Sequence, residues 1–371
     1  LYGIVPTAKI SDDKSCTLFQ LLQFVELHRQ FFVGEHVEPL TRMLKSGIDP
    51  LEALGRLMLD GLLSLENRAP IDWSTVDEKV AKTQKWLVSD KWPNGDAKSA
   101  REIINFWSVD ANELKNGNIS SKKLLPRLHE KQLLRFGPYV LQFPWLGADN
   151  HNTNAIINSF RRLGNQRPEL KNETHTAELD LAVKLRTLGF KVVQGYHQPI
   201  VSEDDVGEID VLCALDDIVI MIEMKTSYVR GSRREIWLHG NTTLRKAGWQ
   251  LKRKSKAFSE MLRLDPTLRE SLGIHQSPKH VHTWIVDTCI EYDGHTIDGS
   301  LVVSRDVLEI VMRDELNLLN PVGGELKYYE TPLFSDGVSA SRFIEVIENQ
   351  YIWKDLSELH SFYIETASQF Q

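Results

Sequence analysis

Two carboxylates and a lysine lie at the ends of two neighbouring apolar runs of this sequence. Asp210 opens the first run, and Glu223-Met224-Lys225 closes the second, which begins at Ile218. Desolvating a charge costs free energy unless the charge is paired or bound to a metal, so packing alone does not account for these residues. Carboxylate oxygens are ligands that Mg²⁺ prefers, and a nearby lysine can stabilise charge developing on a phosphate. The three side chains therefore predict metal-assisted hydrolysis of a phosphodiester.

Paired strands are the elements that would position these residues. The Asp216-Asp217 pair between the two runs predicts a tight turn, and hence a β-hairpin. The second run is apolar throughout, which is typical of a strand buried on both faces. Alternation along that strand places Glu223 and Lys225 on one face and Met224 on the other. In the first strand it aims Asp210 at a face whose neighbours are apolar.

This pattern resembles the signature of the PD-(D/E)xK nuclease superfamily, an acid on one strand followed by acid-x-lysine on the next. The lead-in Gly207-Glu208-Ile209-Asp210-Val211 is similar to the branch that contains archaeal junction resolvases and restriction-like nucleases. The resemblance implies an α/β fold with a mixed central sheet flanked by helices, a restriction-endonuclease-like core. It also implies that Asp210, Glu223 and the Met224 carbonyl bind Mg²⁺ or Mn²⁺, and that Lys225 positions the nucleophile.

A helix before the hairpin supplies another candidate ligand. Helical spacing, a threonine cap and a glycine stop predict a helix over Thr176–Gly189. The resemblance places Glu178, in its first turn, at the metal site as a catalytic residue and ligand. The alternative is an acid that the helix dipole favours at that position. Glu173 and Asp180 are weaker candidates, and Glu208 is expected to be solvated or to support a ligand.

A helix after the hairpin, predicted over Thr242–Leu262 from its spacing, carries one more candidate. Gln250 lies on the flank of this helix, and several branches of the resembled superfamily have a helix glutamine near the metal. It is therefore a candidate catalytic residue. A solvated glutamine beside lysines is the alternative.

The same part of the chain concentrates positive charge. Ten basic residues and one acid, Glu235, lie within Lys225–Lys256, a local net charge of +9 in a chain whose net charge is −7. Tyr228, Trp237 and Trp249 are interleaved, which suits a phosphate backbone with stacked bases. The alternative is a solvated basic helix face. The predicted nucleic-acid contacts are Arg230, Arg233, Arg234, Arg245, Lys246, Lys252, Arg253 and Lys254.

The rest of the chain bounds its domain organisation. Its 371 residues, 42% hydrophobic and 26% charged, fit two domains or one domain with a large extension. We expect a helical N-terminal region and connector over residues 1–150, with the segment 136–147 as an irregular packed connector because Pro and Gly punctuate it. The nuclease-like core is expected over 151–330, and a C-terminal helical extension over 331–371.

Compartment and partners follow from other features. Three cysteines far apart in the sequence, Cys16, Cys213 and Cys289, favour a reducing cytoplasm over a disulfide framework. No run is long enough to span a bilayer and none is typical of a signal peptide, so no membrane partner is expected. We expect nucleic acid, with DNA favoured because most of the resembled superfamily acts on DNA. A second copy or a partner protein is expected to dock through the N-terminal region.

Together these features predict a Mg²⁺- or Mn²⁺-dependent endonuclease in a defence or repair context. Two other classes stay open. One is a nucleic-acid-binding module that does not cleave, which the intact Asp210, Glu223 and Lys225 argue against. The other is a latent subunit of a larger defence or repair assembly.

Overall fold

The computed structural model divides the chain into two compact units. Apart from the first two residues, one unit comprises Gly3–Leu170 and the other Lys171–Gln371, whereas the expected boundary lay near residue 150. Both units are mixed α/β, each with a mixed sheet flanked by helices. The structure describes residues 3–10, 14–64, 68, 71–112, 130–145, 152–162, 170–197, 207–230, 233–314 and 332–354.

The first unit is rich in helices, as its amphipathic spacing predicts. They are α1 (Leu18–Phe32), α2 (Glu38–Lys45), α3 (Pro50–Leu63), α4 (Val76–Gln84), α5 (Ala97–Trp107) and α6 (Asn152–Arg162). α1 begins at a capping box formed by Thr17 and Gln20. α3 begins after Asp49, whose carboxylate accepts hydrogen bonds from two backbone N–H groups of the first turn.

The expectation that this region is helical throughout is wrong, because it also contains a sheet. Its strands are β1 (Asp72–Thr75), β2 (Ser108–Asp110), β3 (Leu133–Phe136) and β4 (Tyr139–Gln142), in the order β1-β4-β3-β2. The segment read as an irregular connector, 136–147, contains β4 and the turn that precedes it, where Gly137 has a φ of 58°. Strands of three or four residues are too short to show a clear alternation of polar and apolar side chains.

The second unit is built on a six-stranded sheet in the order β5-β6-β7-β8-β10-β9. The strands are β5 (Lys191–Tyr196), β6 (Ile209–Leu215), β7 (Ile218–Lys225), β8 (His280–Asp287), β9 (Thr296–Ile297) and β10 (Ser300–Ser304). β7, β8 and β10 are parallel, and the other pairs are antiparallel. The predicted hairpin of β6 and β7 is confirmed: Asp216 and Asp217 have φ values of 55° and 62°, as a type I′ turn requires.

Helices cover this sheet. They are α7 (Leu170–Thr187), α8 (Arg233–His239), α9 (Arg245–Leu264), α10 (Pro266–Leu272), α11 (Arg305–Met312) and α12 (Ala340–Glu348), with a π-helical turn at Gly240–Leu244. α7 begins before the expected Thr176 cap, and the Thr176 hydroxyl instead donates to the Asn172 carbonyl within the helix. Among the described residues, no helix combines the length and apolarity needed to cross a bilayer.

Each face of the sheet carries its own core. One face packs against α7, α11 and α12 through residues that include Leu181, Ile220, Trp284, Val307 and Phe343. The other packs against α9 and α10 through residues that include Leu212, Met221, Leu251, Phe258 and Leu268. β7 contributes to both cores, as predicted for a strand buried on both sides. Because α12 joins the first core, the described part of the expected C-terminal extension belongs to the second unit.

α9 lies very close to the sheet at one point. A Cβ atom built on Gly248 would stand 2.7 Å from the carbonyl oxygen of Ile297 in β9. Any side chain there would have to push the helix away from the strand. Glycine at this position therefore permits the short distance between helix and sheet.

Candidate active site

Asp210, Glu223 and Lys225 meet at the end of the β6–β7 hairpin opposite its turn. Oδ2 of Asp210 accepts a hydrogen bond of 2.7 Å from the backbone N–H of Met224. Nζ of Lys225 donates to Oε1 of Glu223, also at 2.7 Å. The Met224 side chain lies in the core on the other face, as the alternation predicts. The hairpin thus brings the strand residues of the predicted site together at one end of two central strands of the sheet.

α7 brings Glu178 to the same place. The Glu178 residue is 8% exposed, and its carboxylate lies 3.8 Å from Nδ1 of His175 one helical turn earlier. Burial raises the pKa of Glu178 to about 7, with further increases from the charges of Asp210, Glu208 and Glu223. The helix begins at Leu170, so Glu178 is not in its first turn, and the alternative of an acid that the helix dipole favours does not apply.

Asp210 is perturbed in the same direction. Burial, followed by the charge of Glu223, raises its pKa to about 6, although the Met224 N–H and the charges of Lys225 and Lys254 act in the opposite direction. Nearby positive charge stabilises carboxylates that disfavour one another's ionisation, and Lys225 and Lys254 supply such charge at Glu223.

Lys254 also lies in the candidate site, although its sequence context predicts a surface contact to nucleic acid. It is 1% exposed on α9, and its Nζ donates a hydrogen bond of 2.6 Å to Oε2 of Glu223. The prediction that Lys254 contacts nucleic acid at the surface is therefore wrong. Its spacing held the signal, because Lys254 stands three residues after Leu251 and four before Phe258, on the apolar face of the helix.

Gln250 lies one turn before Lys254 on the same helix and is half-buried. Residues four apart on a helix are neighbours on its surface, so Gln250 lies along the side of α9 that carries Lys254. The structure gives Gln250 no hydrogen bond to any residue that it describes.

The weaker acidic candidates differ in their surroundings. Asp180 accepts hydrogen bonds from Lys184 at 2.8 Å and from Arg305 at 2.6 Å, so its carboxylate is already paired outside the site. Glu173 is buried, at 5% exposure. The Glu208 side chain is 47% exposed and lies 3.5 Å from Nε2 of His197, which agrees with a solvated or supporting role.

The donor set fits a hard divalent cation in its chemistry, since it offers carboxylate oxygens and the nearby Met224 carbonyl. Within the described ranges, however, no three His, Cys, Asp or Glu side chains are grouped as ligands for a metal ion. Both oxygens of Glu223 accept hydrogen bonds, one from Lys225 and the other from Lys254. A cation would have to displace one of these ammonium groups to reach Glu223.

Six of the eight predicted nucleic-acid contacts are exposed or half-buried on α8 and α9, and we call these six residues the basic surface. They are the exposed residues Arg233, Arg234, Arg245, Lys246 and Lys252 and the half-buried Arg253. The Arg253 guanidinium stands over the Trp249 ring, 4.7 Å from its centroid. Trp249 and Trp237 are 54% and 61% exposed, an unusual exposure for aromatic rings of this size. Charge and flat rings are thus presented together.

Arg230 does not belong to this surface, contrary to the prediction. Its side chain is only 6% exposed, and Nη2 lies 2.8 Å from Nδ1 of His239. Nε2 of that histidine lies 2.6 Å from Asp287, and Nη1 of Arg230 lies 3.7 Å from Glu291. Arg230 is therefore part of a buried ionic network with His239, Asp287 and Glu291 and is not positioned to contact a phosphate backbone.

The same network contains a cysteine, which raises the question of thiol chemistry. Cys289 accepts a hydrogen bond from the Ser227 hydroxyl. Burial, with the charges of Asp287 and Glu291, raises the pKa of Cys289 to about 12. Burial of the thiol and its raised pKa argue against a nucleophilic role for Cys289.

No family model, no curated protein and no solved structure matches the chain. Function is therefore inferred from the geometry of the second unit, above all from the carboxylates of Glu178, Asp210 and Glu223 and from the lysines that donate to Glu223.

Proposed function

We propose that the protein is a metal-dependent nuclease that hydrolyses phosphodiester bonds, with DNA as the favoured substrate. One observation carries the proposal. Asp210, Glu223 and Lys225, which resemble the PD-(D/E)xK signature in sequence, share one sheet edge with Glu178 from α7. Acids whose pKa values are raised by burial and by neighbouring acids, as those of Glu178 and Asp210 are, occur preferentially at functional sites.

Asp210, Glu178 and the Met224 carbonyl would hold Mg²⁺ or Mn²⁺, with Glu223 as a further ligand. The bound ion would lower the pKa of a coordinated water and neutralise charge on the phosphate. Lys225, half-buried at the strand end, would donate a hydrogen bond to the attacking water or to a phosphate oxygen in the transition state. Because its ammonium group already donates a hydrogen bond to Glu223, we assign it the role of a donor and not of a base.

The basic surface supplies a way to hold the substrate. Its positive side chains would contact phosphates with little sequence preference, while Trp237 and Trp249 would stack on bases or sugars. Gln250 and Lys254 lie on the same helix as most of this surface. α9 therefore connects the proposed substrate contacts with the proposed site of cleavage.

The experiment is incubation of the full chain with single-stranded, duplex and branched DNA and with RNA, in Mg²⁺, in Mn²⁺ and in EDTA. We expect cleavage of a DNA substrate that requires the metal and is lost in Asp210→Asn, which keeps the shape of the side chain. Asp217→Asn, at the exposed turn of the same hairpin, is the matched control and should cleave normally. Cleavage that persists in EDTA or in Asp210→Asn would refute the proposal.

One observation favours a second function, a nucleic-acid-binding module that does not cleave. The two lysines at Glu223 place positive charge where a metal would otherwise sit. In that case the chain would bind nucleic acid through the basic surface with the same affinity in Mg²⁺ and in EDTA, and no product would form. Calorimetry with Mn²⁺ separates the two functions, because only the nuclease requires ion binding that depends on Asp210.

A further inference from the structure

Helix α3 of the first unit presents large apolar side chains to solvent. Its buried side is formed by Ala53, Leu57 and Gly61. On the rest of the helix five large apolar residues are between 45% and 81% exposed: Leu51, Met58, Leu59, Leu62 and Leu63. Single exposed hydrophobic side chains are normal on a protein surface, whereas a contiguous group of them marks a site of interaction. α3 therefore offers a surface that its own unit does not cover.

Four residues lie along the middle of this surface, and we call them the α3 stripe: Leu51, Gly55, Met58 and Leu62. Their intervals of four, three and four residues keep them on one side of the helix. Gly55 is exposed, and a Cβ atom built on it would meet no described atom within 4 Å. The stripe thus has a gap at Gly55, and a side chain of another helix can insert there.

The intervals of the α3 stripe are the same when read in either direction along the helix. Two antiparallel copies of α3, related by a two-fold axis midway between Gly55 and Met58, therefore match residue for residue. Leu51 lies opposite the partner's Leu62. Met58 lies opposite the partner's Gly55 and fills the gap there, so the helix axes can approach to the short end of the usual ~8–10 Å. A partner of unrelated sequence would not require this symmetry.

The charges beside the α3 stripe are complementary in the same arrangement. Glu52, Arg56 and Asp60 follow one another at intervals of four residues along one flank, so a base lies between two acids. The two-fold axis brings this flank against the same flank of the second copy. Arg56 then lies within three residues, or roughly 5 Å along the axis, of the partner's Asp60. Both side chains are more than half exposed, so they can reach a charge across the interface.

We propose that the α3 stripe joins two copies of this chain in an antiparallel dimer with two-fold symmetry. The occupant is a second copy because the apolar spacing and the flanking charges both match their own inverted images, as an interface made of the same patch on both subunits requires. This inference goes beyond the proposed nuclease function and does not depend on it.

The experiment is sedimentation equilibrium of the full chain, with circular dichroism to confirm that each variant is folded. We expect the unmodified chain to form a dimer. Met58→Lys places a charge in the partner's gap, so we expect the dissociation constant to rise by about tenfold or more. Val183→Lys is the matched control, since it makes a similar change at an exposed apolar residue of α7, and it should associate normally.

A second variant, Gly55→Leu, distinguishes a fitted interface from a surface that is only adhesive. Leucine favours a helix more than glycine does, so α3 is retained, but the new side chain fills the gap that receives the partner's Met58. We expect the dissociation constant to rise by about tenfold or more, whereas an adhesive surface would associate more tightly with an added leucine. Equal or tighter association of Gly55→Leu would overturn the inference. So would a monomeric unmodified chain, or a dimer that a folded Met58→Lys leaves intact.

Discussion

Basic side chains between Lys225 and Lys256 occupy two different environments. Lys254 and Arg230 are buried against carboxylates or within an ionic network, and Lys225 faces Glu223 at the edge of the sheet. The residues of the basic surface point into solvent. A single run of positive charge in the sequence thus separates into a set that organises acids and a set that is available to a partner. On α9 the separation follows the helical period, because every third or fourth residue of that helix faces the sheet and Lys254 is one of them.

The largest expected effect lies in the buried set. Glu223→Gln would leave the Lys254 ammonium buried without a counter-charge, so we expect the free energy of unfolding to fall by about 3–5 kcal/mol. Urea unfolding in EDTA measures this free energy. The control is Glu260→Gln, at an exposed acid on α9, the helix that carries Lys254, and it should change stability little. Equal stability of the two variants would show that the Lys254 charge does not depend on Glu223.

Lys225 should act on the rate of cleavage more than on binding. Lys225→Ala removes a transition-state donor, so we expect single-turnover cleavage to slow by on the order of 10²-fold or more. Mn²⁺ affinity should be retained or increased, because an ammonium group that competes for Glu223 is lost. Lys246→Ala makes the same change of charge on the basic surface. Cleavage by Lys225→Ala at the unmodified rate would remove Lys225 from the proposed mechanism.

The buried acids make stability depend on pH in a definite direction. The folded-state pKa values of Asp210 and Glu178, about 6 and about 7, lie above their usual values of 3.8 and 4.5. Their stabilising contribution is therefore complete below pH 4 and is lost as the pH rises to 7. We expect metal-free protein to lose on the order of 1–3 kcal/mol from Asp210 across this interval. Asp210→Asn should reduce the decline, and an unchanged decline would place the titration elsewhere.

The exposed set should give the smallest effect per residue. Replacing Arg234, Arg245, Lys246 and Lys252 together by Ala should weaken DNA binding without changing sequence preference. Each lost phosphate contact should lower the slope of log affinity against log salt by roughly 0.9 on duplex DNA. The measurement is binding between 50 and 200 mM salt, roughly the range over which such contacts are sensitive. An unchanged slope would mean that the substrate lies on another surface.

Local patterns in the sequence were sufficient for the hairpin and for most of the second unit. A pair of aspartates between apolar runs defines its own turn, and β7 is long enough for its burial to be evident. The sheet of the first unit was missed because its strands are short and one pair of them, β2 with β3, is parallel and joins segments distant in sequence. Nothing local marks such a pairing.

Strand alternation predicted only the part of the candidate site that lies on one hairpin, whereas Glu178 was predicted from the family resemblance. Asp210, Glu223 and Lys225 lie on one hairpin, so alternation was enough to group them. Lys254 comes from a helix 31 residues after Glu223 in the chain. The many basic residues around Lys254 in the sequence suggested an exposed position. Only the packing of α9 on the sheet shows that the Lys254 ammonium reaches Glu223.

The contact at Gly248 has a mechanical consequence for this pair. Gly248 precedes Lys254 by six residues, or roughly 9 Å along the helix axis, and it holds α9 against the carbonyl of Ile297. Adding one methyl group there would act as a wedge and tilt the helix away from β9. A lysine whose ammonium must remain within hydrogen-bonding distance of Glu223 tolerates little such tilt. The absence of a side chain at Gly248 thus sets how closely α9 packs against the sheet, and through that packing how near the Lys254 ammonium lies to Glu223.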